Sequence, residues 1–426
     1  MGNQGMTMLT TTYPRIISLS ARTAARISPI GNIHRNAFSS TTTKSSSETL
    51  KKTPIYPLHV HPSNGAKMVP FAGFDMPLSY SKSGGQIAEH AAVRKECGLF
   101  DVSHMVQSRY RGKSAVEFLS KLLPSSLSSM KAYSSTLSVI MNEKGGILDD
   151  CLITRWGEQD WYLVTNAGRR DSDLAWIDKI RQEFPSDSLQ MDILDGWGLL
   201  ALQGPKASKI LQPLLDDRSL ALDQSLFFGQ SIHTKVVGTE VHIARSGYTG
   251  EDGFEISVPP TDALGFAELL AKQPGVTLTG LAARDSLRLE AGMCLYGADL
   301  DESVGVAEAG LGWVVGKERS GFFGEGRTRA EKGELIKRRR VGLTVEKGPP
   351  ARSGALITDS NGQEVGVVTS GIPSPSLAGQ NIAMAYVSSG LHKPGSKVNV
   401  LVRGKPRQAE VVKMPFVESN YYRNSS

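Results

Sequence analysis

From Arg340 onward, Gly and Pro cut the chain into short apolar runs of strand length: Val341–Val345, Ala355–Thr358, Val365–Thr369, Ile382–Val387, Lys397–Val402 and Gln408–Val412. Short strands recurring between turns bury their apolar sides only against one another. That spacing predicts a small all-β barrel or sandwich over 337–426. The basic run Lys337-Arg338-Arg339-Arg340 reads as a solvated strand start. The Gly-rich, charged stretch 317–336 before it reads as a linker.

Upstream the pattern changes to α+β. Gln86–Arg94 reads as a helix stopped by Gly98, and Leu99–Met105 as a strand. Ser114–Leu123 is helical by its periodicity and ends at Pro124. Strands at Thr136–Met141, Leu148–Arg155 and Trp161–Val164 precede a long helix, Arg170–Phe184. A second α/β stretch runs from Trp197 to Gly292. With 426 residues and 40% hydrophobic content, more than one domain is expected.

The net charge of +6 would suit a nucleic-acid binder, but its location argues otherwise. Residues 1–47 contain Arg15, Arg22, Arg26, Arg35 and Lys44 and no acid. Setting those five charges aside leaves +1 for the remainder. Arg-bearing, Ser-rich and acid-free is the composition of a mitochondrial transit peptide, so 1–47 is read as one and the matrix as the destination. No run of about 18 apolar residues exists, so no integral membrane contact is expected. Cys97, Cys151 and Cys294 form no Cys-x-x-Cys pair, and no His-Glu-x-x-His is present. No metal site is expected, and His59 and His61 read as solvated in a Pro-flanked loop. Dinucleotide, P-loop and nucleophile-elbow motifs are all missing from the sequence.

Three constellations remain. In Gly145-Gly146-Ile147-Leu148-Asp149-Asp150-Cys151 an apolar strand begins with two adjacent acids. If Trp156–Asp160 closes a hairpin, Cys151 falls opposite Thr165 and Asp150 opposite Asn166, with Cβ atoms about 5 Å apart. Such a polar patch can orient an amine and stabilise positive charge; strand-end capping explains it equally well. In Arg245–Val258, three glycines build a tight loop before Phe254–Val258, where Phe254, Ile256 and Val258 share one face and Glu255 lies on the other. Glu255 is either solvated or accepts paired N–H bonds from a heterocycle. In the helix Gly280–Gly292, Arg284 and Arg288 share a face, and an anion site and an ordinary ion pair are both open.

These segments, with Phe71-Ala72-Gly73-Phe74, Leu99 through Met105, Ala201-Leu202-Gln203-Gly204-Pro205, Gly247 through Gly253, Gly280 through Gly297, Val367 through Ser376, and Lys413 through Val417 ahead of Asn420-Tyr421-Tyr422, resemble the glycine cleavage T-protein family of aminomethyltransferases. The resemblance runs from about Thr53 to Tyr422. It implies an α+β fold of three domains around a central folate cavity, with a ferredoxin-like unit and a C-terminal β-barrel. Residues 48–316 would be the folate-binding region, with 48–107 and 195–316 forming a discontinuous first domain and 108–194 the second. The implied reaction moves a methylene from the aminomethyl-lipoyl group of the partner H-protein to tetrahydrofolate, a co-substrate, with no metal. The other complex members, the P- and L-proteins, act only indirectly.

The resemblance further implies Asp150 as the carboxylate beside the reacting folate nitrogens, with Asp149 as its strand-end partner. Asn166 joins the pocket, Glu255 holds the pterin edge, Arg284 and Tyr421 (in preference to Tyr422) contact the ligand, and Met105 and Tyr248 wall the pterin. The chain departs from the family at Ser303–Glu308, where Val306 stands in place of a Pro, which bears on the local loop shape. A folate-binding iron–sulfur assembly factor of the same fold is the rival; its Lys-Gly-Cys-Tyr-x-Gly-Gln signature has no counterpart here. A folate domain of a flavin-linked dehydrogenase would need a Rossmann region that this chain lacks.

Overall fold

The structure, a computed structural model, describes residues 49–333 and 336–424. The leader expected over 1–47 lies outside the described residues.

Alternation of apolar and polar residues builds two sheets that share the centre of the molecule. The first has six strands in the order Ser231–Val236, Thr239–Arg245, Gly253–Val258, Gly198–Gln203, Cys97–Asp101, Val276–Leu278. All neighbours are antiparallel except the last pair. One face packs Phe254, Ile256 and Val258 against Leu200, Leu202 and helix Ala263–Ala271, as the alternation predicts. Glu255 therefore points to the other face.

The second sheet has five antiparallel strands: Ser135–Met141, Ile147–Arg155, Asp160–Thr165, Val106–Arg111, Gln190–Ile193. Helices Ala115–Leu122 and Arg170–Arg181 cover one face through Phe118, Leu119, Ile177 and Ile180. Leaving the edge strand Ser135–Met141 aside, chain order across the sheet is second, third, first, fourth, the ferredoxin-like arrangement.

The predicted strand Leu99–Met105 is split. Cys97–Asp101 belongs to the first sheet and Val106–Arg111 to the second. The break is a turn in which Asp101 Oδ1 accepts from the Ser103 N–H at 2.8 Å and Val102 O accepts from the Met105 N–H at 3.0 Å. An Asp side chain bonding the backbone two residues on competes with the ladder, and the alternation was blind to it. Gly98 does not stop a helix either. It lies inside the strand, where an added Cβ would come within 2.4 Å of Val93. The helix, Gly85–Lys95, packs against the strand at this point. Beyond the turn, Phe100, Val102, Tyr162, Val164 and Ala201 from both sheets meet Leu287 of helix Leu281–Glu290 in one apolar cluster.

All six expected C-terminal strands form, and they close into a barrel rather than a sandwich. In space the order is Arg338–Val345, Asn381–Ser388, Glu364–Pro373, Leu356–Thr358, Lys397–Val402, Lys405–Val412 and back to the first. Closure removes edge strands altogether.

Two expectations on its approach need correction. The stretch 317–336 is more than a linker: it carries helix Glu325–Gly333, supported by Arg327–Glu331 and Arg329–Glu325 ion pairs at i,i+4, and it buries Phe322. The basic run is not simply solvated. Arg340 donates from Nε to the Ala309 carbonyl at 2.7 Å, and Arg338 lies 5.1 Å from the Tyr386 ring. The first barrel strand runs beneath the 292–309 segment, tied to it by Arg340 through the Gly292 and Ala309 carbonyls and by Arg338 through Glu308 at 3.4 Å.

Candidate functional site

The strand Ile147–Arg155 starts where three chain segments converge. An added Cβ on Gly146 would sit 1.7 Å from the Glu302 carbonyl oxygen, so only glycine lets the 301–304 loop lie against the strand start. There the Ile147 N–H donates to Val304 O at 3.1 Å and the Tyr296 hydroxyl to Ile147 O at 3.0 Å. The departing segment Ser303–Glu308 thus buries Val304 and Val306. A bulge at Leu148 resets the ladder, because Met141 pairs with Ile147 but Ile140 with Asp149. Asp149 consequently faces the helix layer, and Asp150 faces the centre of the molecule with Val139.

The hairpin register is the one the sequence predicts: Arg155 pairs with Trp161 and Cys151 with Thr165. One step further Asn166 leaves the ladder, and its side chain bridges both acids. Asn166 Nδ2 donates to Asp149 Oδ1 at 2.9 Å and to Asp150 Oδ1 at 3.0 Å, while its backbone N–H donates to Asp149 Oδ2 at 2.8 Å. The strand-end role expected for Asp149 is wrong. It is 0% exposed, inside the strand, with both oxygens occupied. The bulge turns it inward under helix Arg170–Arg181. Asp150 keeps limited access to solvent. Burial and the adjacent Asp149 push its carboxyl up to about 7, against the pull of the Asn166 amide and Arg284.

Facing this strand, Glu255 accepts from the Ser246 hydroxyl at 3.1 Å, and burial pushes its carboxyl above the ordinary range. The two helix arginines, left equivalent by sequence, are separated by their partners. Arg288 is consumed by Asp285, Asp299 and Ser370 at 2.9, 2.6 and 2.9 Å. Arg284 has no acid within ion-pair distance among the described residues; its guanidinium lies 4.5 Å from the Tyr248 ring centre. The Tyr248 hydroxyl donates to the Cys294 carbonyl. Tyr248, Glu255 and Arg284 line one recess with Phe100, Val102 and Ala201. Asp150 stands close enough for its charge to act on Tyr248 and for that of Arg284 to act on it. Met105 is half-buried in the apolar cluster between the sheets.

Tyr421 lies tilted against Phe228 with centroids 4.2 Å apart, and its buried hydroxyl has no acceptor among the described residues. The Tyr422 hydroxyl is satisfied by the Asp223 carbonyl at 2.7 Å. A roomier cavity of about 350 Å³ lies elsewhere, against Gly292, Arg340, His392 and Met414, and holds none of the candidate residues.

Sequence reasoning missed His104. Its Nδ1 is buried and unpartnered, its ring sits edge-on to Phe71, and burial followed by the Arg284 charge pushes it down to about 4. No local pattern marks it, because the turn after Val102 sets its direction. His59 was misread as solvated. It is 1% exposed, between Asp101 Oδ2 and the Tyr80 hydroxyl, each at 2.8 Å. The short helix Tyr56–Val60 turns it inward, whereas His61 is exposed as expected. No group of three or more His, Cys, Asp or Glu side chains that could hold a metal occurs among the described residues.

Comparison with known proteins agrees across the chain. Residues 58–319 match the GCVT N-terminal domain and residues 338–418 the glycine cleavage T-protein C-terminal barrel domain. A probable mitochondrial aminomethyltransferase of Schizosaccharomyces pombe is 45% identical, covering 88% of this chain and 95% of its own. The mitochondrial aminomethyltransferase of Saccharomyces cerevisiae is also 45% identical, with 88% and 96% covered. The crystal structure of the glycine cleavage system aminomethyltransferase T from Bartonella henselae superposes with a TM-score of 0.80 at 40% identity, covering 88% of this chain and all of that one. The fold, the ordered blocks of sequence and these matches converge: the chain belongs to the glycine cleavage T-protein family.

Proposed function

We propose that this chain is the aminomethyltransferase of a mitochondrial glycine cleavage system, working in the matrix with lipoylated H-protein as donor and tetrahydrofolate as acceptor. One observation carries the reading: a half-sheltered carboxylate, Asp150, with an amide N–H directed at it and an acid-free cation, Arg284, close by. The leader composition and the mitochondrial names of the relatives support the compartment. The iron–sulfur alternative is not favoured, since the relatives matched along nearly their whole length carry aminomethyltransferase names.

The co-substrate supplies two nucleophilic nitrogens. Bonds form from both to the transferred carbon, and the bonds from that carbon to sulfur and to the amine break. The two protons lost by the nitrogens end on the sulfur and on the departing ammonia. Positive charge builds on the carbon–nitrogen centre in between, and an ionised Asp150 stabilises it. A unit charge about 4 Å away at an effective dielectric near 20 is worth about 4 kcal/mol, roughly three powers of ten in rate. Asn166 orients that carboxylate.

Three unspent groups suit a folate. Glu255 retains acceptor capacity for the amino-pyrimidinone edge, and among the described residues Arg284 has no acid within ion-pair distance and the Tyr421 hydroxyl has no acceptor. Tyr421 is therefore assigned the contact, with Tyr248 and Met105 walling the ring. The test is ammonia release from aminomethyl-loaded H-protein with and without tetrahydrofolate. Release that is tetrahydrofolate-dependent and lost in Asp150→Asn supports the reading; no release with both substrates present ends it.

A further inference from the structure

Charge is unevenly shared along the chain. Residues 337–426 carry thirteen Lys and Arg against five Asp and Glu, a net +8, which leaves −7 for residues 48–336. Within the barrel the excess gathers at one end. Strand Arg338–Val345 finishes there, and strand Lys397–Val402 turns there into Lys405–Val412. The register that pairs Ile357 with Val400 and Thr358 with Asn399 brings the 352–356 segment to the same hairpin. This end holds Lys347, Arg352, Arg403, Lys405 and Arg407 and one acid, Glu346. The first four cations are exposed and Arg407 is half-buried. Arg352 and Arg407 donate only to backbone carbonyls, of Gly371 at 2.9 Å and of Lys347 at 3.5 Å. Among the described residues no acid lies within ion-pair distance of any of the five; the ion pairs of the barrel, Arg338–Glu308 and Lys397–Glu410, belong to its other end. In the hairpin turn, Arg403 and Gly404 have φ of +51° and +74°. Asn-Gly fills such a turn without strain, whereas Arg holds its charge there against backbone strain. Two exposed leucines, Leu356 at 41% and Leu377 at 37%, stand at the same end.

We infer that this end of the barrel is a peripheral docking surface for an anionic lipid bilayer. An acidic protein partner would be gripped by aromatic anchors in a packed interface core, and single-stranded nucleic acid would need aromatic faces for its bases. Segments 346–356, 373–381 and 402–408 contain no Phe, Tyr, Trp or His. Separate point charges on loop tips suit a fluid array of phosphate headgroups, which rearranges around them, and the two leucines can enter the boundary between headgroups and acyl chains. The acidic remainder of the molecule is repelled by the same surface, which turns the barrel end toward it. None of these residues lines the recess, so the inference stands apart from the reading of Asp150.

The test uses the full chain with the leader cations Arg15, Arg22, Arg26, Arg35 and Lys44 replaced by Gln, so that the leader contributes no charge. It is mixed with phosphatidylcholine vesicles that hold either about 30% phosphatidylserine or none. Flotation should find the chain on the anionic vesicles at about 0.1 M salt, off them at about 0.5 M, and off the neutral vesicles at both. Lys347→Gln/Arg403→Asn/Lys405→Gln should weaken binding about a hundred-fold, about five-fold per cation, with ammonia release at the parental rate. Arg403→Asn suits the turn, so this variant keeps the hairpin. Removing the same charge at three exposed lysines outside the barrel, Lys67→Gln/Lys82→Gln/Lys209→Gln, should change binding less than about three-fold. Leu356→Ser/Leu377→Ser should weaken it about ten-fold. A parent that ignores anionic vesicles, equal losses in the two triple variants, or a leucine variant that binds like the parent overturns the inference. So does binding of a single-stranded oligonucleotide or of H-protein that the barrel variant loses while its vesicle binding stays.

Discussion

Asp150 exchanges its proton near neutrality, and the sign of its effect follows. With the carboxylate in the role proposed for it, aminomethyl transfer should fall as pH drops through about 7, with the acid limb belonging to Asp150. Asp150→Asn keeps the shape and removes the charge. The expected outcome is a loss of about two to three powers of ten in ammonia release, from the Coulombic magnitude above, with tetrahydrofolate binding largely intact by calorimetry. Glu255 should behave in the opposite way. Its proposed bonds to the pterin edge exist before the reaction begins, so Glu255→Ala should weaken tetrahydrofolate binding by about 2 kcal/mol, roughly thirty-fold. Unchanged affinity in a titration removes Glu255 from the site.

The strand that carries Asp150 is aimed by its neighbours. Gly146, the Leu148 bulge and the 301–304 loop form one joint, because the Gly146 backbone touches the Glu302 carbonyl where any side chain would stand. Gly146→Ala must push that loop away and break the bond from the Ile147 N–H to Val304 O. We expect a stability loss of about 2 kcal/mol in urea denaturation, in the range of overpacking substitutions, together with a drop in transfer rate. A variant with parental stability and rate shows that the loop does not aim the strand. Helix Leu281–Glu290 divides its labour similarly: Arg288 ties it to Asp299 and the barrel, and that leaves Arg284 for the recess.

Across the molecule, Glu290 joins the helices to the barrel. It accepts from Ser374 at 2.5 Å and Ser376 at 2.7 Å, from Arg94 at 2.8 Å, and contacts His90 at 3.2 Å. Burial alone would raise its carboxyl, but bonds from His90, Ser374 and Ser376 outweigh burial and hold it down to about 2. A carboxyl depressed by folding stabilises the native state above its unfolded value, near 4.3, and that contribution is lost as pH falls toward 2. Glu290→Ala leaves Arg94 and both serines without their acceptor. It should cost about 3 kcal/mol at neutral pH, and the difference from the parent should shrink in acid. A difference that stays constant down to pH ~2 contradicts the linkage.

Much of this was legible in order along the chain. The six barrel strands, the register of the Asp150 hairpin and the outward side of Glu255 all follow from period-two alternation and turn chemistry, which act over a few residues and so are written locally. Folding in three dimensions settled the rest. Arg284 and Arg288 look alike until Asp299 and Ser370 arrive from distant strands and loops to neutralise one of them. Asp149 passes for a strand-end acid until a bulge and helix Arg170–Arg181 bury it beside Asp173, and His59 passes for a surface residue until Asp101 and Tyr80 close over it. Whether a charge is spent or free depends on partners remote in sequence, because electrostatics and desolvation act through space and leave no mark on the local spacing of residues.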